Sequence, residues 1–352
     1  MIWKKVEYTK SEIDRAGQKV LGIDISNEER KECLKIIDNW RAAHAFPTNT
    51  FTINLKKNVK DIPGAVVVQR LKRLDTILDK LERFPSMKLS RMQDLGGCRV
   101  IVPTNKDVYS VIEKLRNSRI RHIEHNFKDY IETPNPNTGY RGYHIIYRYN
   151  SDRKTDYNGL QVEIQVRTQL QHLWATAVET IGLFTDNGLK FNKGSETWLR
   201  FFKLTSAVFS IEENLTIVND VPAERNALYL EWLNAIQELD VFNVLGVIGA
   251  ATKRIGHINS RKKKGYYLLV LDMVSFPAVL RIEQYNTFET AVNAYNNFEN
   301  KKKEKRIDGV LVSAQSYENL VTAYPNYFLN VNEFLNTITS IIQKLNDGLE
   351  KS

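Results

Sequence analysis

The sequence predicts an α+β protein: a mixed sheet flanked by helices, followed by a small α+β module. Two observations carry this. Long stretches with apolar residues at helical spacing bracket short segments in which apolar residues alternate or run continuously. Near HINSRKKKG the composition turns basic and polar, and a fresh set of strands and helices begins after it. At 352 residues the chain is long enough for two domains with a proper hydrophobic core.

From Asn27 to Ala43 the apolar residues recur at helical spacing, and from Val66 to Phe84 they do so again through Val67, Leu71, Leu74, Leu78 and Leu81. Both segments are predicted as amphipathic helices. Strands are predicted at Cys98–Val102, Tyr143–Tyr149 and Leu160–Arg167. In the last of these, Leu160, Val162, Ile164 and Val166 share one face, while Gln161, Glu163, Gln165 and Arg167 share the other. Helical periodicity resumes from Gln169 to Ile181 and from Glu196 to Leu239. A domain boundary is placed in the basic stretch, giving a first domain at 1–258 and a second at 259–352. The second reads as the strand pair YYLLVLDMV and AVLRIEQY broken at Phe276 and Pro277, then a helix from Thr287 to Asn300. The strand GVLVS, a helix opening at Ser316 and a last helix from Val331 to Leu349 complete it.

Hydrophobic residues at 42% and charged residues at 26% exclude a disordered or fibrous chain. Two cysteines, Cys33 and Cys98, exclude a disulfide framework and a four-cysteine metal site, which predicts a reducing, cytoplasmic setting. No run of about 18 apolar residues occurs, and the opening MIWKKVEYTKSEIDRAG turns charged early, so neither export nor membrane insertion is expected. The net charge of +9 favours polyanionic partners, nucleotides or nucleic acid, although a basic surface kept for solubility fits equally. The runs RKKK at Arg261–Lys264 and KKKEKR at Lys301–Arg306 read as solvated loops.

Four constellations carry chemistry. Arg70, Lys72, Arg73 and Lys80 would line one stretch of the second predicted helix, where guanidinium and ammonium groups can wrap a triphosphate. They also describe any solvated helix face. In SRMQDLGGCRVIV the acidic Asp94 precedes a Gly-Gly pair and a strand carrying Arg99, which suits magnesium at a sheet edge or, equally, a turn aspartate capping its own backbone. In KDYIETPNPNTGYRGYHIIYRY a shaped loop displays Tyr140, Arg141, Tyr143 and His144, and flat rings beside an Arg suit stacking on a base. In VEIQVRTQLQHLWATAVE the mid-strand Glu163 requires a cation or metal partner, with Arg167 as the plain structural choice.

Taken in order, QRLKR...DKL, RMQDLGGCRVIV, KDYIETPNPNTGYRGYH and VEIQVRTQLQHLWA resemble the synthetase domain of the RelA/SpoT family over about Arg70–Glu179. The resemblance implies a nucleotidyltransferase-like fold that moves pyrophosphate from ATP to a ribose 3'-hydroxyl. It implies that Arg70, Lys72, Arg73, Lys80 and Arg99 hold ATP, and that Asp94 and Glu163 are the catalytic acids and the Mg2+ ligands. Lys128, Tyr140, Arg141, His144, Gln165, Arg167 and His172 would then form the acceptor pocket. The loop departs from the family's Pro-Lys-x-Asn-Gly-Tyr-Gln-Ser-Leu-His pattern at Asn135, at Thr138 and at Arg141-Gly142-Tyr143, which weakens the expected grip on free GTP or GDP. None of the six histidines is followed by Asp, so the family's hydrolase half is absent.

The whole chain resembles the fused toxic synthetases of the CapRel type. In these a tRNA-pyrophosphorylating domain carries its own antitoxin, a zinc-finger-like module without metal ligands. The resemblance assigns Tyr324 and Tyr327 of AYPNYF to autoinhibition over the adenine site; as residues alone they equally suit the module's own core. The expected acceptor is the 3' end of tRNA, with translation arrest in phage defence and a phage protein binding the C-terminal module as trigger. The second reading is GDP or GTP, giving guanosine alarmones. A third is an inactive scaffold for RNA or a partner, which the retained Asp94 and Glu163 oppose.

Overall fold

Reciprocal capping boxes start the first helices: Thr9 with Glu12 opens α1 (Lys10–Lys19), and Ser26 with Glu29 opens α2 (Asn27–Ala43). Helix α3 (Ala45–Asn58) follows after His44. The computed structural model describes residues 3–118, 120–185, 195–250, 252–257, 265–275, 277–301, 307–325, 327–328 and 331–349.

The helix expected over Val66–Phe84 is instead two elements, strand β1 (Val66–Leu71) and helix α4 (Leu74–Arg83). Val66, Val67 and Val68 are β-branched and favour a pleated surface. Their apparent helical spacing with Leu71 and Leu74 is coincidental, because β1 is paired on both sides in the sheet. Arg70 is therefore a strand residue, Lys72 lies in the connection and Arg73 is the N-cap of α4, so only Lys80 sits on a helix as expected.

The chain continues with β2 (Gly96–Val102), α5 (Asn105–Arg116), β3 (Ile123–Asp129), β4 (Tyr143–Arg148) and β5 (Gln161–Thr168). Helices α6 (Gln169–Thr185), α7 (Ser195–Glu212), α8 (Arg225–Glu238) and α9 (Val241–Ala250) come next. Strands β6 (Thr252–His257), β7 (Gly265–Asp272) and β8 (Ala278–Tyr285), helix α10 (Phe288–Lys301), strand β9 (Ile307–Ala314) and helices α11 (Tyr317–Ala323) and α12 (Asn332–Leu349) complete the described fold. The α+β class and the mixed, helix-flanked sheet agree with expectation. The predicted boundary at 258/259 falls outside the described residues, and β6 just before it pairs in parallel with β8.

The strands form one sheet in the order β3-β4-β5-β2-β1-β9-β7-β8-β6. Strands β2 and β5 run parallel and every other pair in the first half is antiparallel. On one face of that half, Val162, Ile164 and Val166 of β5 pack with Phe51 and Leu55 of α3 and with Val108 and Val111 of α5. On the other face stand the polar residues of β5 and, beyond them, helices α6, α7 and α11. Helix α10 covers one face of the second half through Phe288, Ala291 and Tyr295. Among the described residues no helix is long and apolar enough to cross a membrane.

Gly96 marks a tight approach of helix to sheet. A Cβ there would lie 2.2 Å from Thr48 Oγ1 of α3, itself buried and donating to the His44 carbonyl at 2.7 Å. Gly96→Ala should cost about 1 to 3 kcal/mol of stability, read as a lower midpoint in urea; an unchanged midpoint would show that α3 yields freely.

Candidate active site

The register of β4, β5, β2 and β1 sets side chains in rows across the polar face. In one row Ile146, Glu163, Gly97 and Arg70 stand side by side, and in the next Lys128, His144, Gln165 and Arg99. Gly97 has no side chain, so the floor between Glu163 and Arg70 is open. Asp94 lies in the turn just before β2, where the Lys72 amide donates to the Leu95 carbonyl at 2.8 Å and ties the two connections together.

Both acidic groups are fully committed. Lys72 Nζ and Lys80 Nζ donate to the two oxygens of Asp94 at 2.8 and 3.1 Å. Burial works against its charge, but Lys72 and then Lys80 outweigh it and hold the carboxyl below its ordinary range. Glu163 is bonded by His144 Nδ1 at 2.9 Å and by Gln165 Nε2 at 2.8 Å. Burial again opposes ionisation, yet these contacts and the charge of Arg70 lower its pKa to about 2. The two carboxylates are close enough that Glu163 disfavours the charge on Asp94.

The chain of contacts continues outward. Arg167 Nη2 donates to Gln165 Oε1 at 2.7 Å, and its guanidinium lies 5.0 Å from the centre of the Tyr140 ring. The Tyr140 hydroxyl meets His144 Nε2 at 2.6 Å. Gly142, at φ 151, leaves room for this: a Cβ would sit 2.9 Å from the Tyr140 hydroxyl and 3.1 Å from Arg167 Cγ. Tyr140 is backed by Trp174 of α6, with ring centres 6.3 Å apart.

Of the residues expected at the site, the structure gathers Arg70, Lys72, Lys80, Asp94, Arg99, Lys128, Tyr140, His144, Glu163, Gln165 and Arg167 on this face. Arg141 points the other way. It is buried and donates to the carbonyls of Ile131 and Thr216, bracing the loop from behind. Arg73 is spent on the C-terminal segment: Nη1 pairs with Asp308 and donates to the Tyr327 hydroxyl at 3.1 Å, while that hydroxyl donates to Asp308 at 2.9 Å. Arg99 donates to the Ala323 carbonyl at 2.9 Å and lies 5.6 Å from the Tyr324 ring centre. Burial lowers the His172 pKa well below its usual value, so the ring is neutral and its Nε2–H donates to the Thr322 carbonyl at 2.8 Å. Tyr324 and Tyr327 are buried against the shared core as well as against this face. Sequence reasoning missed Asp308; its one signal was a charge inside the apolar strand IDGVLVS.

A sheet that presents two ionised carboxylates, ringed by lysine and arginine, fits a transferase that handles polyphosphate. The family described as "Region found in RelA / SpoT proteins" matches residues 69–182. GTP pyrophosphokinase YwaC of Bacillus subtilis is 34% identical over 174 residues, covering 44% of this chain and 80% of that protein. GTP pyrophosphokinase YjbM of the same organism is 25% identical over 169 residues, covering 47% and 77%. The crystal structure of the Bacillus subtilis small alarmone synthetase 1 bound to its product pppGpp aligns at 24% identity with a TM-score of 0.40, over 48% of this chain and 90% of that one. The chain belongs to the RelA/SpoT family and is a transferase of the pyrophosphokinase kind.

The pKa of Glu163 links the site to stability. Its folded value lies below the ordinary 4.5, so its contribution is present above pH 4.5 and is lost as pH falls toward about 2. At 1.36 kcal/mol per unit, the contribution is about 3 kcal/mol. The stability gap between wild type and Glu163→Gln, measured in urea, should narrow by that order between pH 6 and pH 2.5. A gap that does not change with pH would contradict the assigned contacts.

Proposed function

We propose that the protein is an ATP-dependent pyrophosphokinase that transfers pyrophosphate to the ribose 3'-hydroxyl at the 3' end of tRNA, arresting translation, and that its own C-terminal segment holds it at rest. The observation that carries the proposal is the gathering of Asp94 and Glu163 on one face, with the open floor at Gly97 beside Glu163 and with Lys72, Lys80, Arg70 and Arg99 around them. Pyrophosphoryl transfer needs positioned cations more than a covalent nucleophile.

Asp94 and Glu163 suit Mg2+, which takes one or two carboxylates together with substrate phosphate oxygens. When bound it supplies positive charge to the transferring group. Lys72 and Lys80, now spent on Asp94, turn to the triphosphate as the nucleotide enters. Arg70 joins them on the ATP phosphates, and Arg99 in the neighbouring strand also serves ATP. Glu163, ionised and steadied by His144 and Gln165, receives the proton of the attacking hydroxyl, and Tyr140 with Arg167 behind it stacks the acceptor base.

The resting state follows from the C-terminal contacts. Tyr324 occupies the face of Arg99, and Asp308 with Tyr327 neutralises Arg73. A trigger that binds the C-terminal part better in its open form would release the enzyme; in phage defence that trigger is a phage protein. A second reading, GDP or GTP as acceptor, is favoured by the relatives named GTP pyrophosphokinase.

Labelled ATP offered with tRNA, GDP or GTP separately should give a labelled 3' end on tRNA; turnover of GDP or GTP alone would favour the second reading. Asp94→Asn or Glu163→Gln should lower transfer on the order of 1000-fold with the fold intact, and near-normal transfer by either variant would defeat the catalytic assignment.

Tyr324→Ala should raise untriggered transfer by up to ~100-fold, the equivalent of a 99 to 1 resting equilibrium. Tyr327→Phe keeps the packing and removes only the hydroxyl contacts to Arg73 and Asp308, so a rise there too separates release from unfolding. Soluble variants that stay at wild-type basal activity would refute autoinhibition.

A further inference from the structure

Next to the catalytic carboxylates lies a cavity of about 580 Å³ that the reaction scheme does not use. Its walls come from α1, α2 and His44 after it, the connection before β2, His125 of β3 and the outer ends of β4 and β5, and among the described residues none comes from beyond residue 161. The described C-terminal segment therefore takes no part in its walls. Gln161 precedes Glu163 by two residues on the same face of β5 and is paired across the sheet with Arg148. Two residues of strand span about 6.6 Å, so the cavity begins one register step from the catalytic row.

The chemistry of its walls is of two kinds. Lys10, Lys88, Arg91 and Arg148 line it, and among the described residues none of them has a carboxylate partner. The acid in the wall, Asp14, is taken up by the Ser90 amide at 2.8 Å and the Ser90 hydroxyl at 3.0 Å. The cavity thus offers unbalanced positive charge. Deeper in, the groups are neutral. Trp40 Nε1 and Gln161 Oε1 are buried and have no hydrogen-bond partner among the described residues, an arrangement folded proteins avoid unless something fills the gap. His44 Nδ1 is bonded to the Trp40 carbonyl at 2.7 Å and so carries the proton, which leaves Nε2 as an acceptor. Burial lowers the pKa of this ring to about 4, in keeping with a neutral form.

A simple anion would satisfy the rim and leave the indole N–H and the amide oxygen unmet. A ligand with a phosphate at one end and a flat edge of donors and acceptors at the other satisfies both, and the volume lies in the range that holds small molecules. We propose that this cavity holds a nucleotide unit of an RNA acceptor strand next to the reacting residue, its phosphate on Lys88, Arg91 and Arg148 and its base toward Trp40, His44 and Gln161. The inference rests on the reading of RNA as acceptor and adds to it the place where the strand continues. It also supplies a basis for choosing a polynucleotide over a mononucleotide, because only the former reaches both the catalytic row and the cavity.

The test uses the full-length protein and a short 5'-labelled single-stranded RNA with a free 3'-hydroxyl. By fluorescence anisotropy, Lys88→Ala combined with Arg91→Ala should weaken RNA binding about 10-fold and flatten its salt dependence by one to two phosphate contacts. Lys57→Ala combined with Lys60→Ala, equal in charge but outside the cavity wall, should leave binding close to wild type. Trp40→Phe, which keeps an aromatic but smaller ring and removes the N–H, should weaken RNA binding several-fold without changing ATP affinity. In the Tyr324→Ala background the Lys88/Arg91 pair should raise KM for RNA with kcat preserved and leave any turnover of GDP untouched. Equal losses for the cavity and control pairs, or an unchanged KM for RNA, would overturn the site while leaving RNA as acceptor. RNA that binds through the cavity but is never pyrophosphorylated would keep the site and overturn the acceptor. RNA that neither binds nor reacts would overturn both.

Discussion

Two ionised carboxylates held side by side on one face of a sheet are the constraint from which most of this molecule follows. Asp94 and Glu163 repel one another and are largely removed from water, so each must be matched by groups that favour its charge. The match is made differently for each. Asp94 receives two full ammonium charges from the β1–α4 connection and from α4, whereas Glu163 is held by hydrogen bonds from its own strand and its neighbour β4. On the proposed function the first arrangement is the one exchanged when a triphosphate enters, with the lysines changing partner. The second is woven into the sheet and stays in place. One carboxylate is thus matched by long side chains from a connection and a helix, the other by groups built into the sheet.

How much of this was legible in the sequence depends on whether the signal was local. The alternation in QVEIQVRT placed Glu163, Gln165 and Arg167 on one face opposite a buried apolar face, and the structure agrees residue by residue. The strand pair YYLLVLDMV and AVLRIEQY and the helices after it were equally plain. The error at Val66–Phe84 arose because the leucines of a strand end and a following helix fell into a spurious helical spacing, and only the pairing of β1 with β2 and β9 resolves it. Strand β3 carried no apolar signal, since it is an edge strand exposed along most of its length. The partners of Arg73 and Arg99 lie more than two hundred residues away, in β9 and at the end of α11, and nothing local foretells them.

The basic residues illustrate a related point. Lysine and arginine read alike in a list of charges, yet their fates here diverge with position. Arg41 is buried between α2 and α10, where its guanidinium lies 4.8 Å from the Tyr295 ring centre and donates to Asn296 at 3.0 Å. Arg141 is an internal brace. Arg91 and Lys88 stand at a rim without a carboxylate partner among the described residues. Net charge alone does not separate these uses; the number of carbonyls and carboxylates within reach does.

The joint between the two halves of the sheet is narrow. Strand β1 pairs with β2 along its whole length but meets β9 only at Gln69 with Ser313 and Arg70 with Val312. The backbone of Arg70 thus belongs to the seam, while its side chain belongs to the polar face. Few ladder hydrogen bonds hold the halves edge to edge, and the side-chain contacts of Tyr324, Tyr327 and Asp308 close the same gap from above. Arg70 is therefore the residue that the seam and the polar face share. If binding at that face shifts the seam, linkage requires that the seam shift binding in equal measure.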